Sequence, residues 1–169
     1  MVRLEQAIRT ALPDWSLAEG VTALMAMRGF DLVSASAFLA EMGDLSRFPT
    51  ARDLMGYLGL VPSEQSTGEK VKRAGITKAG NRRARRILVE CSWSYRHPPR
   101  LGKEKLAKVA AVPRDVREIA WKAQHRLTAR YRALTRNGKK PTVVITAIAR
   151  ELSGFIWAIN RSTRPAVTG

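Results

Sequence analysis

Between residues 115 and 160 an apolar side chain returns every three to four positions through two long segments, a spacing that helices satisfy and strands do not. Val116, Ile119, Ala120, Ala123, Leu127, Tyr131 and Leu134 share one stripe of a helix predicted over 115–135. Val144, Ile148, Leu152, Phe155 and Ile159 share one stripe of a helix over 142–160, after a turn at Asn137-Gly138. The same period runs upstream. Leu4, Ala7, Ile8, Ala11 and Leu12 line a first helix, which Pro13 and Asp14 break. Ser16 is placed to cap a second helix over 17–27, Arg28-Gly29-Phe30-Asp31 makes a tight connection, and a third helix over 32–42 ends at Gly43. Thr50 caps a further helix to residue 57, with Asp53 at its third position. The expected fold is therefore all-α, a compact multi-helix domain with a helix-hairpin-helix-like pair at 17–43. Such a hairpin can hold a phosphate on its backbone amides, but the acidic balance of its surroundings favours a plain packing unit.

The helical pattern stops at Gly59-Leu60-Val61-Pro62. Residues 63–76 have no clear helical period and carry glycines at 68 and 75, which reads as a loop or a short irregular hairpin. Thr77 is then the expected cap of a long basic helix over 78–95, with Ala84, Ile87, Leu88, Cys91 and Tyr95 on its core stripe. His97-Pro98-Pro99-Arg100 stops that helix, and 101–112 leaves room for a short one. One domain over 15–160 results, with residues 1–14 as an N-terminal helix or the remnant of a linker and 161–169 as a flexible tail.

At 169 residues with 45% apolar side chains, the chain is long enough for one real core. Its single cysteine, Cys91, excludes an internal disulfide and fits a reducing compartment such as the cytoplasm. With only His97 and His125 beside it, a zinc site is disfavoured. Cys91 on a core stripe reads as a buried, inert thiol and His125 as a surface side chain. No run of 18 apolar residues predicts a membrane span, and the N-terminus lacks a secretory layout. The net charge of +16 is unevenly spread. Residues 1–60 carry five Lys/Arg against seven Asp/Glu, or −2, whereas 61–169 carry 25 against seven, or +18. That excess repels itself unless an anion faces it, and a nucleic acid is the natural partner. A membrane surface fits less well, since the basic helices lack Trp/Phe stripes opposite their charged faces. Trp15, Trp93, Trp121 and Trp157 can stack on bases, but the last three lie in predicted helices, where core packing is expected.

The densest charge is local. Ser66, Thr67 and Gly68 precede eight cations in 17 residues, Lys70, Lys72, Arg73, Lys78, Arg82, Arg83, Arg85 and Arg86, with no acid among them. Hydroxyls beside a glycine in a cationic field suit phosphodiesters. A serine hydroxyl is a weak nucleophile without a base, a metal or adjacent positive charge, and no histidine stands near Ser66. Lys70, Lys72 and Arg73 can stabilise the charge of a pentacovalent transition state. Taken alone, Ser66 reads as an ordinary loop serine.

The run GYLGLVPSEQSTGEKVKRAGITKAGNRRARRILVE, residues 56–90, resembles the C-terminal Tnp domain of insertion-sequence transposases of the IS one-ten type. The segment ALMAMRGFDLVSASAFLAEMGDLSRF, residues 23–48, is similar to what precedes this run in that family, and the resemblance covers about residues 15–160. Its most specific parts are Pro62, Ser66 and Gly68 and the string from Ile76 to Arg82. The resemblance implies a DNA recombinase in which Ser66 attacks a phosphodiester and forms a covalent phosphoserine link. Ser66 is chosen over Thr67 by alignment with the motif alone, and Ser63 is a further nearby hydroxyl. It also implies a guide RNA from the element that selects sites, a homo-oligomer, and Mg²⁺ held by four carboxylates of a separate RuvC-like domain. No such domain stands in this chain, and its seven acids before residue 60 show no metal-pair spacing. The expectation is a chain that binds DNA and RNA, holds no metal itself and does not complete recombination alone. Two other readings stay open: a non-catalytic helical module for structured RNA or DNA, and a ribosome-associated basic protein supported by charge only.

Overall fold

The computed structural model describes residues 1–67 and 70–164, and for 64–67 and 70–74 the backbone alone. Expectations that rest on Gly68 or on the tail from 165 onward lie outside the described residues, as do the side chains of Ser66, Thr67, Lys70, Lys72 and Arg73. Helix α1 spans Val2–Ala11, α2 Ala18–Met25, α3 Leu32–Met42 and α4 Ala51–Tyr57. A hairpin follows, β1 Pro62–Thr67 and β2 Lys70–Ile76, and then α5 Arg82–Ser92, α6 Lys103–Ala110, α7 Arg114–Arg136 and α8 Pro141–Thr163. The architecture is all-α, with one two-stranded antiparallel ribbon projecting from it.

Helix α8 is the hub. It packs on α7, α5, α4 and α2, and buries Val144, Ile145, Ile148, Ala149, Leu152, Ile156 and Ile159. By length and composition it is apolar enough to cross a bilayer, which the search for unbroken apolar runs does not pick up. Its apolar side faces the domain core instead. Leu88 and Tyr95 from the α5 region, Leu127 from α7 and Phe30 and Phe38 from the α2–α3 hairpin complete that core. The stripes read from the sequence on α5, α7 and α8 are the faces that are buried.

Several boundaries differ from the expectation. Over 63–76 the second of the two alternatives holds, a paired hairpin, with Thr67 opposite Lys70 and an irregularity between Pro62 and Ser63. Only two strands pair and most of their residues are polar, so no apolar alternation marks them in sequence. The basic helix begins at Arg82, not Lys78, and Asn81 rather than Thr77 caps it, its side chain accepting from the Ala84 N–H at 2.9 Å. The reason lies in the backbone: Lys78 and Gly80 have φ of +55° and +82°, which a right-handed helix cannot contain. That helix also ends at Ser92, and residues 93–96 continue as a 3-10 turn. Ser16 caps nothing; α2 starts after Leu17 without a side-chain cap. Thr50 and Asp53 do form the expected capping box.

The connection between α2 and α3 is a packing joint. Lys105 of α6 donates to the carbonyls of Met25, Met27 and Phe30 at 2.8, 2.9 and 2.8 Å, closing the open end of α2. Burial, with Lys108 adding to it, lowers the Lys105 ammonium to about 8. Gly29, at φ +87°, lies against the Cys91 carbonyl so closely that any Cβ would collide with it.

Candidate nucleic-acid interface

The hairpin stands on a root built from both sides of the ribbon. Below β1, the last turn of α4 delivers Tyr57, Leu58 and Gly59; after β2, the string Thr77-Lys78-Ala79-Gly80-Asn81 turns back over them. Thr77 N–H donates to the Val61 carbonyl at 3.0 Å, Lys78 N–H to Gly59 at 3.1 Å and Asn81 N–H to Tyr57 at 3.1 Å. Two glycines permit this closeness. At Gly59 (φ +66°) a Cβ would run into the Ala79 carbonyl, and at Gly80 it would run into that of Tyr57. Arg85 reaches back from α5 to the carbonyls of Leu58 and Ala79, at 2.9 and 3.2 Å. Asn81 adds a third tie, its side-chain amide donating to the Glu41 carbonyl and carboxylate, each at 3.3 Å.

This root sets where each predicted site residue stands. Ser66 lies on β1 opposite Val71, next to the last pair of the ribbon, Thr67 with Lys70. Lys72 lies opposite Gln65 and Arg73 opposite Glu64. Ser63, lower down, donates its hydroxyl to the Gly75 carbonyl at 2.9 Å and is engaged in the root. Lys78, Arg82 and Arg86 are exposed. Arg83 is exposed as well, with one contact to Glu41 at 3.4 Å. Arg85 differs from its neighbours, since its guanidinium is half-buried on the two root carbonyls.

The first turn of α5 holds no acid and, with the residue after it, four arginines. Cations at a helix N-terminus oppose the macrodipole, each by roughly 0.3–1 kcal/mol. Helix stability therefore does not account for Arg82, Arg83 and Arg86. A local rule broken at an exposed face points to a ligand that rewards it, and an anion does so.

Other residues are brought in by the fold and have no signal in the chain order. Against the α4 side of the root lies an open concavity of about 1480 Å³, walled by Arg47, Arg52, Tyr57, Ser63, Thr77 and Arg150 among others. Arg47 sits between two rings, 4.4 Å from the centroid of Phe48 and 4.5 Å from that of Tyr57. Arg150 comes from α8, about ninety residues away in sequence, so only the tertiary structure could reveal it. The tryptophans divide. Trp157 donates to the Phe48 carbonyl at 3.0 Å and packs on the core, whereas Trp121 is 43% exposed, edge-on to an exposed His125. Cys91 is buried, and that burial pushes its thiol up to about 12, which removes it as a nucleophile.

Among the described residues no three His, Cys, Asp or Glu side chains converge. The one acid among the described side chains in the wall of the concavity, Asp53, already accepts from the Thr50 hydroxyl and N–H at 2.6 and 3.0 Å.

Comparison with known proteins places this geometry in a lineage. Residues 21–106 match the model of the transposase family described as IS116/IS110/IS902, a stretch that contains the whole hairpin root. A protein of Sinorhizobium fredii that carries the name transposase y4qE is 62% identical over 161 residues, 95% of this chain and 41% of its own length. The transposase for insertion sequence element IS1328 of Yersinia enterocolitica is 33% identical over 92 residues, 54% of this chain and 27% of its own. A protein of the insertion element IS110 from Streptomyces coelicolor is 34% identical over 65 residues, 38% of this chain and 16% of its own. The chain spans about two-fifths or less of the length of these relatives.

Proposed function

The chain belongs to the IS116/IS110/IS902 transposase family, and on that premise we propose that it is a domain acting in DNA transposition, binding DNA and guide RNA and supplying Ser66 as a nucleophile. The observation that carries this reading is the pairing of a clamped hairpin root with an arginine-rich first turn of α5 that works against its own helix dipole. The root fixes the foot of β1, the strand that carries Ser66 opposite Val71, and the exposed Lys78, Arg82 and Arg86 lie on the chain that follows β2. In the proposed step the Ser66 oxygen bonds to phosphorus as one sugar oxygen leaves with its electron pair, and the serine proton passes to solvent or to a base. The phosphoserine link conserves the bond for rejoining to another strand. The Mg²⁺ expected in the family is assigned in this reading to the carboxylates of a separate domain, in a larger homo-oligomer.

The test is adduct formation. With labelled DNA, Mg²⁺ and a carboxylate domain supplied, the chain should form a covalent protein–DNA species that Ser66→Ala abolishes and Thr67→Ala leaves in place. An adduct that persists in Ser66→Ala, or that maps to Thr67, overturns the nucleophile. The second reading, a non-catalytic module for RNA or DNA, predicts that Ser66→Ala changes no measurable activity. Both readings share an electrostatic signature. With around six phosphate contacts, affinity should fall on the order of a thousandfold between 50 and 200 mM salt.

A further inference from the structure

Resting on the nucleic-acid reading above, we propose a second contact site, separate from the exposed face of α5: the concavity at the hairpin root takes a single-stranded segment, with one unpaired base on Tyr57 and its flanking phosphates on Arg52 and Arg150. Tyr57 is 37% exposed, so part of its side chain is open to a ligand. Its ring is also held in place. The Arg47 guanidinium lies 4.5 Å from its centroid, and Arg47 is itself anchored by an Nη2 bond to the Met42 carbonyl at 3.0 Å. Phe48 supports the ring from another side, 5.3 Å away and tilted by 56°. A ring fixed in this way offers a stacking surface at small entropic cost, and any base has a π-face to match it.

The charge of the site fits a phosphodiester. Asp53, the acid in its wall, is engaged in the α4 capping box, and neither Arg52 nor Arg150 has an acidic partner among the described residues. The size fits a polymer. At about 1480 Å³ the concavity exceeds the roughly 300–1,000 Å³ typical of small-molecule pockets, and it is open. The position gives the site a role. Arg150 also lines a smaller concavity of about 460 Å³ on the other side of the root, shared with Gly75 and Lys78. A strand on Arg52 and Arg150 therefore passes Ser63 and Thr77 at the foot of β1, the strand that carries Ser66. The ligand is single-stranded because the bases of a duplex already stack on one another and cannot reach Tyr57.

The experiment is fluorescence anisotropy with labelled oligo(dT), oligo(rU) and a 20-base-pair duplex between 50 and 200 mM salt. Proteins compared are the wild-type chain, Arg52→Gln/Arg150→Gln, Tyr57→Ala, Tyr57→Phe and, for α5, Arg82→Gln/Arg86→Gln, each checked for fold by circular dichroism. Loss of two phosphate contacts should reduce the single-strand salt slope by about 1.4, at about 0.7 per contact, while leaving the duplex slope unchanged. Tyr57→Ala should weaken single-strand binding by roughly fivefold to over a hundredfold, with Tyr57→Phe close to wild type. The oligo(dT) and oligo(rU) arms show which sugar the site accepts. Unchanged single-strand affinity and slope in a folded Arg52→Gln/Arg150→Gln protein overturns the proposal, and so does an equal loss on the duplex. If the α5 variant loses binding while the groove variants do not, this site alone fails. A flat salt response of the wild-type chain fails the nucleic-acid reading itself.

Discussion

Gly80→Ala is the sharpest test of the hairpin root. Gly80 sits at φ +82°, where an alanine costs of the order of 1–3 kcal/mol in backbone strain. The new Cβ would also be driven into the Tyr57 carbonyl. That oxygen cannot step aside freely, because it ends α4 and accepts the Asn81 N–H at 3.1 Å, next to the Lys78–Gly59 bond. Displacing it adds a penalty like that of an overpacked core, about 1–3 kcal/mol. The expected loss is therefore about 2–6 kcal/mol out of the roughly 5–15 kcal/mol that holds a domain folded. At ~2–4 °C per kcal/mol for this size, a loss near the middle of that range lowers the melting midpoint by about 8–16 °C. Gly56→Ala is the internal control. Gly56 lies within α4, its φ is ordinary and a Cβ there meets nothing within 4 Å, so alanine should stabilise by about 0.5–1 kcal/mol. Urea unfolding followed by circular dichroism reads both. If Gly80→Ala unfolds within about 0.5 kcal/mol of wild type, or Gly56→Ala is destabilised as much as Gly80→Ala, the steric account of the root is wrong.

Two further outcomes follow from the same contacts. Asn81→Ala removes the α5 cap and both ties to Glu41, and should cost about 1–2 kcal/mol in urea unfolding; a loss below about 0.3 kcal/mol would show that the cap is idle. Asn81→Asp keeps the acceptor but sets a carboxylate against Glu41, so it should recover only part of that loss. Lys105 should titrate near pH 8 by its ¹³Cε shift, against the 10.5 of a free lysine, and a midpoint above 10 would refute the burial argument. The sign is that of a depressed lysine. Between pH 8 and 10.5 the unfolded chain keeps a proton that the folded chain has released, so this group's contribution to stability rises with pH through that window.

How much of this was legible in sequence depends on the range of the interaction. The stripes of α7 and α8, the stop of α3 at Gly43 and the Thr50–Asp53 box are set by residues within a few positions of each other, and they fold as read. The start of α5 was misplaced because Thr77 has the right chemistry for a cap, while the feature that excludes it, a left-handed backbone at Lys78 and Gly80, is imposed by contact with α4. Arg85 looked like its three neighbours in the basic run. Only the fold turns it inward onto Leu58 and Ala79. Trp121 was expected inside because helices bury tryptophans, yet it lies outside the α7 stripe formed by Val116, Ala120, Ala123 and Leu127 and is exposed. Arg150 and Tyr57 line one concavity although some ninety residues separate them, and no local pattern encodes that.

The string from Ile76 to Arg82 can now be assigned a physical job. In the sequence it stands as one of the most specific parts of the family resemblance, and two of its residues, Lys78 and Arg82, belong to the run of eight cations. In the fold its backbone is tied to the protein: Thr77 bonds to Val61, Lys78 and Asn81 bond to Gly59 and Tyr57 at the α4 end, Gly80 makes room for the Tyr57 carbonyl, and Asn81 caps α5. What remains for a ligand are the exposed side chains of Thr77, Lys78 and Arg82. Substitution within the string should therefore act first on stability and on the placement of β1, and only then on affinity. An experiment that scores activity alone would read such a variant as a lost catalytic group. Measuring unfolding alongside binding separates the two, because Gly80→Ala should lose stability in the absence of any nucleic acid, whereas Arg82→Gln should lose affinity while its melting midpoint holds or rises slightly, as the relief of the α5 dipole requires.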